Sequence, residues 1–162
     1  MSANAVTPIP DHMQGLIPHL VCGDAAAAID FYSRAFGAVE RSRLIGPDGK
    51  LWNAQLHIGS AALMVVDEAP DWGSFGPKSL KGTPVTVHRF VADVDAALAQ
   101  AVAAGATLVM PAADMFWGDR YGLLEDPFGH RWSLATHQHD LTPAQIAAAM
   151  TLAVAAMPDA PG

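Results

Sequence analysis

Two stretches of the chain repeat one another, and a repeat of this length limits the architecture more than any single motif does. In the first stretch an apolar run, Leu16 to Cys22, is followed by Gly23-Asp24, an Ala-rich segment through Phe36, and Gly37-Ala38. In the second, Val85 to Val91 leads into Ala92-Asp93, another Ala-rich segment, and Gly105-Ala106. Short β-branched runs bounded by turn signals read as strands. Asp24 and Asp93 suit helix N-caps, because a short carboxylate accepts from the free amides of the first turn. Gly37 and Gly105 suit the left-handed residue that closes a helix. Between cap and glycine, Ile29, Tyr32 and Phe36 recur at helical spacing, as do Val94, Leu98 and Val102.

Each predicted helix is followed by three further extended segments. In the first half these are Val39–Ile45, Leu51–Ile58 and Ala61–Asp67, with turns at Pro47-Asp48-Gly49 and Gly59-Ser60. In the second they are Thr107–Met110, Tyr121–Glu125 and Arg131–Thr136, with a tight turn at Asp126-Pro127-Phe128-Gly129. Two βαβββ modules follow, at about 15–67 and 83–137, joined by a Gly-, Pro-, Ser- and Lys-rich linker over 68–82. Thr142-Pro143 opens a last helix in segment 141–162, as a cap and a first-turn proline. Its stripe Ile146, Met150, Val154 and Met157 is expected to pack on the body or on a partner subunit.

The 162 residues fit one domain or two very small ones, and 51% hydrophobic residues supply a core. The formal charge is −7, and no three basic residues fall together, so a nucleic acid partner is not expected. The lone Cys22 excludes an intrachain disulfide and reads as a small buried hydrophobe. Met1 to Met13 lacks the pattern of a signal peptide, and the Ala-rich stretch Ile146–Met157 is shorter than the ~20 residues a membrane span needs. The expectation is a cytoplasmic protein with no membrane partner. No GxGxxG, GxxxxGK[ST] or GxSxG motif occurs.

Several segments resemble the vicinal oxygen chelate superfamily, which groups glyoxalase I, fosfomycin and bleomycin resistance proteins and extradiol dioxygenases. They are Gly23-Asp24 through Ile29-Asp30-Phe31-Tyr32, Ala35-Phe36-Gly37-Ala38 and Val91-Ala92-Asp93-Val94-Asp95. The run Phe116 to Gly122 with Asp126 to Trp132 is similar to the PhnB-like branch, and the resemblance covers about 9–140. It implies an α+β fold in which two βαβββ modules form a cupped sheet of the glyoxalase/bleomycin-resistance type around one cavity, with a C-terminal helix added. It also implies a homodimer. Metal-dependent members place one ligand on each of four strands, and counting from local landmarks puts those positions at Ile17, Leu63, Thr86 and Ser133. These are poor ligands, so no cofactor is expected. The alternative is a divalent Zn, Fe, Mn or Ni ion at His19 and His88.

His19 and His88 each lie five residues before their capping aspartate, in the strand phase of Ile17 and Thr86. Asp67 and His137 each lie eight after their turn glycine, which aims them inward as well. The two histidines admit three readings: imidazoles hydrogen-bonded in a closed core or orienting a ligand, a proton-transfer pair, and a displaced metal site. Around them, Ser133, Trp117, Tyr121 and Arg120 are candidate ligand-binding residues. Arg120 would face an anionic or carbonyl oxygen, with Trp117 and Tyr121 as apolar walls. The other reading pairs Arg120 with Asp119, Glu125 or Asp126 and packs Trp117. His130 and Trp132, of opposite phase to Ser133, are expected outside the cavity. Trp52 reads as core, interface or ligand platform, and Trp72 and Phe75 as a lid or a linker anchor. The expected function is metal-independent binding of a small, largely apolar or aromatic organic molecule between the modules, with no catalytic residue assigned. The alternative is a lyase, isomerase or dioxygenase of the glyoxalase type using His19 and His88.

Overall fold

A computed structural model describes residues 6–157, and the expectations for residues 1–5 and for the tail 158–162 lie outside it. The chain divides into a first unit, residues 1–84 with 127–130, and a second, residues 85–126 with 131–162. Each is described by itself below.

The first unit runs β1 (His19–Cys22), α1 (Ala25–Phe36), β2 (Val39–Ile45), β3 (Leu51–Ile58) and β4 (Ala61–Asp67). Its four-stranded sheet has the order β1-β4-β3-β2, with β1 and β4 parallel and the other pairs antiparallel. Strand alternation sends Leu20, Cys22, Leu56, Leu63 and Val65 to the face covered by α1, and all are buried. The helix answers with Ile29, Phe31, Tyr32 and Phe36, packed ring on ring. Asp24 caps it as expected, accepting from Ala27 N at 2.9 Å, and Gly37 closes it in the left-handed region at φ 68°. The linker is partly ordered, with a 3₁₀ turn at Pro70–Trp72 and a short α2 at Pro77–Leu80. Residues 127–130 belong here too: Phe128 sets its ring against Phe31 and Tyr32, and His130 Nε2 meets the Val21 carbonyl at 2.9 Å.

The second unit repeats the plan with β5 (Thr86–Phe90), α3 (Val94–Ala104), β6 (Thr107–Asp114), β7 (Asp119–Glu125) and β8 (Arg131–His137), in the order β5-β8-β7-β6. Asp93 caps α3 through Ala96 N at 3.0 Å. Two four-stranded mixed sheets, each with its helix, make this the α+β fold expected from the repeat.

Several strand bounds differ from expectation. β1 begins at His19 because Pro18 offers no amide to a ladder, although its carbonyl still accepts from Met64 N. β6 continues four residues beyond Met110: it is an edge strand, where Pro111 and the accompanying register shifts are tolerated. β7 starts at Asp119 and β8 reaches His137. The last helix, α4 (Pro143–Ala155), opens with a Thr142/Gln145 capping box, yet buries no residue. The packing of its stripe on the body is therefore not found: Met150, Val154 and Met157 are exposed. No described helix is long and apolar enough to cross a membrane.

Candidate functional site

In the first unit, cross-strand register sets His19 beside Met64 and Met64 beside Gln55 on the face away from α1. The next row on that face holds Val21, Val66, Asn53 and Leu44. At the start of β3 the pairing with β2 slips, from Leu44–Asn53 to Ile45–Leu51. This bulge turns Leu51 into the core and throws Trp52 out, so that the indole is half exposed. Gly46 is required opposite it, since a Cβ there would run into the Trp52 ring. Trp72 lines the same cavity from the segment after β4. Its 3₁₀ turn is closed by Trp72 N donating to Ala69 O, by left-handed Gly73, and by an Ala69–Ser74 bridge.

A cavity of about 470 Å³ is lined by Leu44, Leu51, Trp52, Val66, Trp72 and His19 among others. That volume is in the range that takes a drug-sized molecule. Its polar groups are Asp48, Lys50, Asp67, Glu68, Asp71 and Ser74. Asp67 is a structural clamp, accepting from Ala25 N and from Leu51 N, each at 2.7 Å. Glu68 accepts from Gly76 N at 2.6 Å. A hydrogen bond from the Ser79 side chain, that amide, and the charge of Lys50 hold its carboxyl below the usual range. Lys50 Nζ donates to the Glu68 carbonyl at 3.1 Å.

In the second unit His88 Nδ1 and Ser133 Oγ share a hydrogen bond of 2.7 Å. The imidazole stacks on Tyr121 with ring centres 6.1 Å apart and meets Phe90 edge-on. Trp117 packs edge-on against Tyr121, and its Nε1 donates to Asp119. Four of the expected site residues, His88, Ser133, Tyr121 and Trp117, thus form one cluster.

Arg120 is not part of it. Adjacent strand residues face opposite sides, and Arg120 points toward α3, donating to both Asp95 oxygens at 2.7 and 3.0 Å and to Asp114 at 3.1 Å. These carboxylates, chiefly Asp95, raise its already high pKa, and Arg120 in turn lowers that of Asp95. The ion-pair reading holds in kind, with Asp95 and Asp114 in place of Asp119, Glu125 and Asp126. Trp132 is buried and donates to Asp126 at 3.0 Å.

His19 and His88 do occupy equivalent positions, since His19 pairs with Met64 as His88 pairs with Ser133. The same register corrects two of the four counted positions. Leu63 is buried under α1, and Ile17 precedes the sheet. Gly59 opens a two-residue turn whereas Gly129 sits late in a five-residue one, so counting from glycines shifts the first module by one. The same offset separates Asp67 from His137. The counterpart of Asp67 is Thr136, whose Oγ1 accepts from Val94 N at the start of α3 and donates to Val91 O.

A divalent ion does not fit these donors. Each half sets one imidazole beside a thioether or a hydroxyl, both weak ligands for such an ion. Among the described residues no three His, Cys, Asp or Glu are grouped to hold a metal ion.

His137 instead stands between two carboxylates, Nδ1 at 2.7 Å from Asp119 and Nε2 at 2.9 Å from Asp140. The Asp140 contact first, then Asp119, raises its pKa above the ordinary value of 6.5. The sign follows from linkage: this stabilisation is complete below the unfolded value of about 6.5 and fades as pH rises through the raised folded one. Ring-proton NMR titration is expected to show a midpoint above that of a free histidine, moved down by Asp140→Asn. An ordinary midpoint in the unaltered protein would refute the pairing.

A sequence profile of the Glyoxalase/Bleomycin resistance protein/Dioxygenase superfamily matches residues 9–134. The uncharacterized protein Rv0887c of Mycobacterium tuberculosis is 51% identical over 139 residues, covering 84% of this chain and 82% of its own. Among solved structures, TioX from Micromonospora sp. ML1 superposes with a TM-score of 0.61 at 30% identity, over 76% of this chain and 98% of that one. The PhnB protein from Bacillus cereus superposes with a TM-score of 0.59 at 16% identity, over 76% and 99%, a likeness of fold alone.

Proposed function

The chain belongs to the Glyoxalase/Bleomycin resistance protein/Dioxygenase superfamily, and on that premise we propose that it binds a small, largely apolar or aromatic organic molecule without a metal ion. The observation that carries this reading is the 470 Å³ cavity whose lining includes Trp52 and Trp72. Apolar walls with a few placed polar groups are what a small-molecule site needs. Two exposed indoles in the lining give a flat ligand aromatic faces to stack on. The cavity belongs to the first half, so the residues assigned here are Trp52, Trp72, Leu44, Val66 and His19. His88, Ser133, Tyr121 and Trp117 supply a second aromatic surface for the same class of ligand.

Native mass spectrometry of the full chain with added acridine tests this reading. A 1:1 adduct is expected, and the Trp52→Ala/Trp72→Ala double variant is expected to bind about 30-fold more weakly, from about 1 kcal/mol per lost stacking contact. Equal binding by the double variant, or chemical conversion of the bound compound, would overturn it.

The enzymatic alternative, a lyase, isomerase or dioxygenase of the glyoxalase type acting through His19 and His88, draws its support from the Ser133–His88 hydrogen bond. That bond holds the imidazole in one orientation and leaves Nε2 for proton transfer. Turnover of a glyoxalase-type substrate that is lost on His88→Ala would establish it. The PhnB-like branch and a cytoplasmic location stay part of the proposal on the sequence grounds given above. A homodimer does too, supported by the exposed Met150 and Val154 of a helix carrying no charge, with exposed Met157 just beyond it. A monomer mass from light scattering would remove the dimer.

A further inference from the structure

The cavity of the first unit has a second property besides its indole walls, which is the sign of its charge. Its polar lining comprises the carboxylates Asp48, Asp67, Glu68 and Asp71 against a single ammonium, Lys50. Their hydrogen bonds leave this excess in place. Asp67 is held by two backbone amides and Glu68 by the Gly76 amide, and these partners carry no charge. Asp48 accepts from the Lys50 backbone amide at 3.1 Å, again a neutral donor. The Lys50 ammonium is turned to a carbonyl oxygen, that of Glu68. Asp71 stands next to Trp72 on the same 3₁₀ turn.

We propose that the ligand of this cavity is an organic cation, an aromatic or bulky ammonium or amidinium, whose charge is met by the indole faces of Trp52 and Trp72 and by Asp71 and Asp48. This rests on the reading of the cavity as a small-molecule site and narrows it to one charge class. Three effects agree in sign. An indole face is the strongest of the side-chain π surfaces for a cation. Carboxylates at the mouth of a concave, apolar-walled site focus a negative potential into it. An anionic ligand would meet like charge on each side with only Lys50 to answer it, so the site also selects by repulsion.

Three flat tricyclic probes of similar size and different charge test the inference by calorimetric titration of the full chain at pH 8: cationic 9-aminoacridine, neutral acridine and anionic anthracene-9-carboxylate. The expected order is 9-aminoacridine tightest, by about tenfold over acridine, with anthracene-9-carboxylate weakest. In 1 M NaCl, where the screening length falls to about 3 Å, the preference for the cation is expected to shrink to about threefold or less. Asp48→Asn/Asp71→Asn, at exposed positions, is expected to bring the 9-aminoacridine and acridine affinities to within about threefold of each other at low salt. Trp72→Ala is expected to weaken both 9-aminoacridine and acridine.

If acridine binds as tightly as 9-aminoacridine, or anthracene-9-carboxylate binds best, the charge assignment is overturned while the cavity remains a site for aromatic ligands. If 9-aminoacridine binds but Trp72→Ala leaves it unaffected, attraction to the acidic protein as a whole explains the result and the assignment fails. If none of the three binds, the small-molecule reading itself is overturned.

Discussion

Replacing Asp67 with alanine is expected to destabilise the first half of the molecule by about 3 kcal/mol or more, the cost of two charge-assisted hydrogen bonds to buried amides. One oxygen of Asp67 serves the first amide of α1 and the other serves the first amide of β3. Both donor amides, those of Ala25 and Leu51, belong to buried residues, so baring their N–H groups carries a desolvation cost. The carboxylate also sits where the positive end of the α1 dipole favours a negative charge. Asp67→Asn keeps one acceptor and is expected to lose about half as much. Urea unfolding followed by circular dichroism measures both. A shift worth less than about 1 kcal/mol for the alanine variant would mean that other groups take over both amides.

The second large effect is expected at Gly118, which lies between the β6 and β7 segments. Its φ of 100° is strained for any L side chain, and a Cβ would stand 2.5 Å from the His139 carbonyl. Its own carbonyl accepts from both Gln138 N and His139 N at 3.0 Å. Gly118→Ala therefore combines backbone strain with a clash against fixed main chain, and about 3 kcal/mol of lost stability is expected. The loss should be local at first, releasing the segment 137–141 that leads into α4. Hydrogen exchange would register this as early loss of protection at Gln138 and His139, and unchanged protection there would contradict the account.

How far the sequence foretold this structure depended on which signal was being read. β2, β3 and β4 have the bounds expected from their turns, because Pro47-Asp48-Gly49 and Gly59-Ser60 stop the chain on either side. The two caps were legible for the same local reason, a short carboxylate ahead of an Ala-rich run. β6 was cut short at Pro111, since tolerance of proline depends on whether a strand is an edge strand, a fact of pairing rather than of local pattern. The equivalence of His19 and His88 was legible because both were counted from aspartates with identical roles. The count from glycines goes astray in the first module, at Leu63 and Asp67, because Gly59 and Gly129 hold different places in their turns. Arg120 and Tyr121 read as parts of one ligand site although they are neighbours on a strand, and period two separates them. Trp52 owes its exposure to a bulge, which leaves no mark in the alternation of Leu51 to Ile58. The acidic residues around it were scattered over Asp48 to Asp71 and came together only on folding.

The four tryptophans carry a practical consequence. Trp52 and Trp72 belong to the first unit and are 50% and 85% exposed, whereas Trp132 of the second is 2% exposed and Trp117 half-buried. The protein's own ultraviolet emission is therefore a composite, with its red edge from one half and its blue edge from the other. Acrylamide, a neutral quencher, should act chiefly on the red component, and filling the cavity should protect that component from it. Heating that loosens only the second half would shift the blue component and leave the red one in place. Each half thus carries its own optical reporter, without a label.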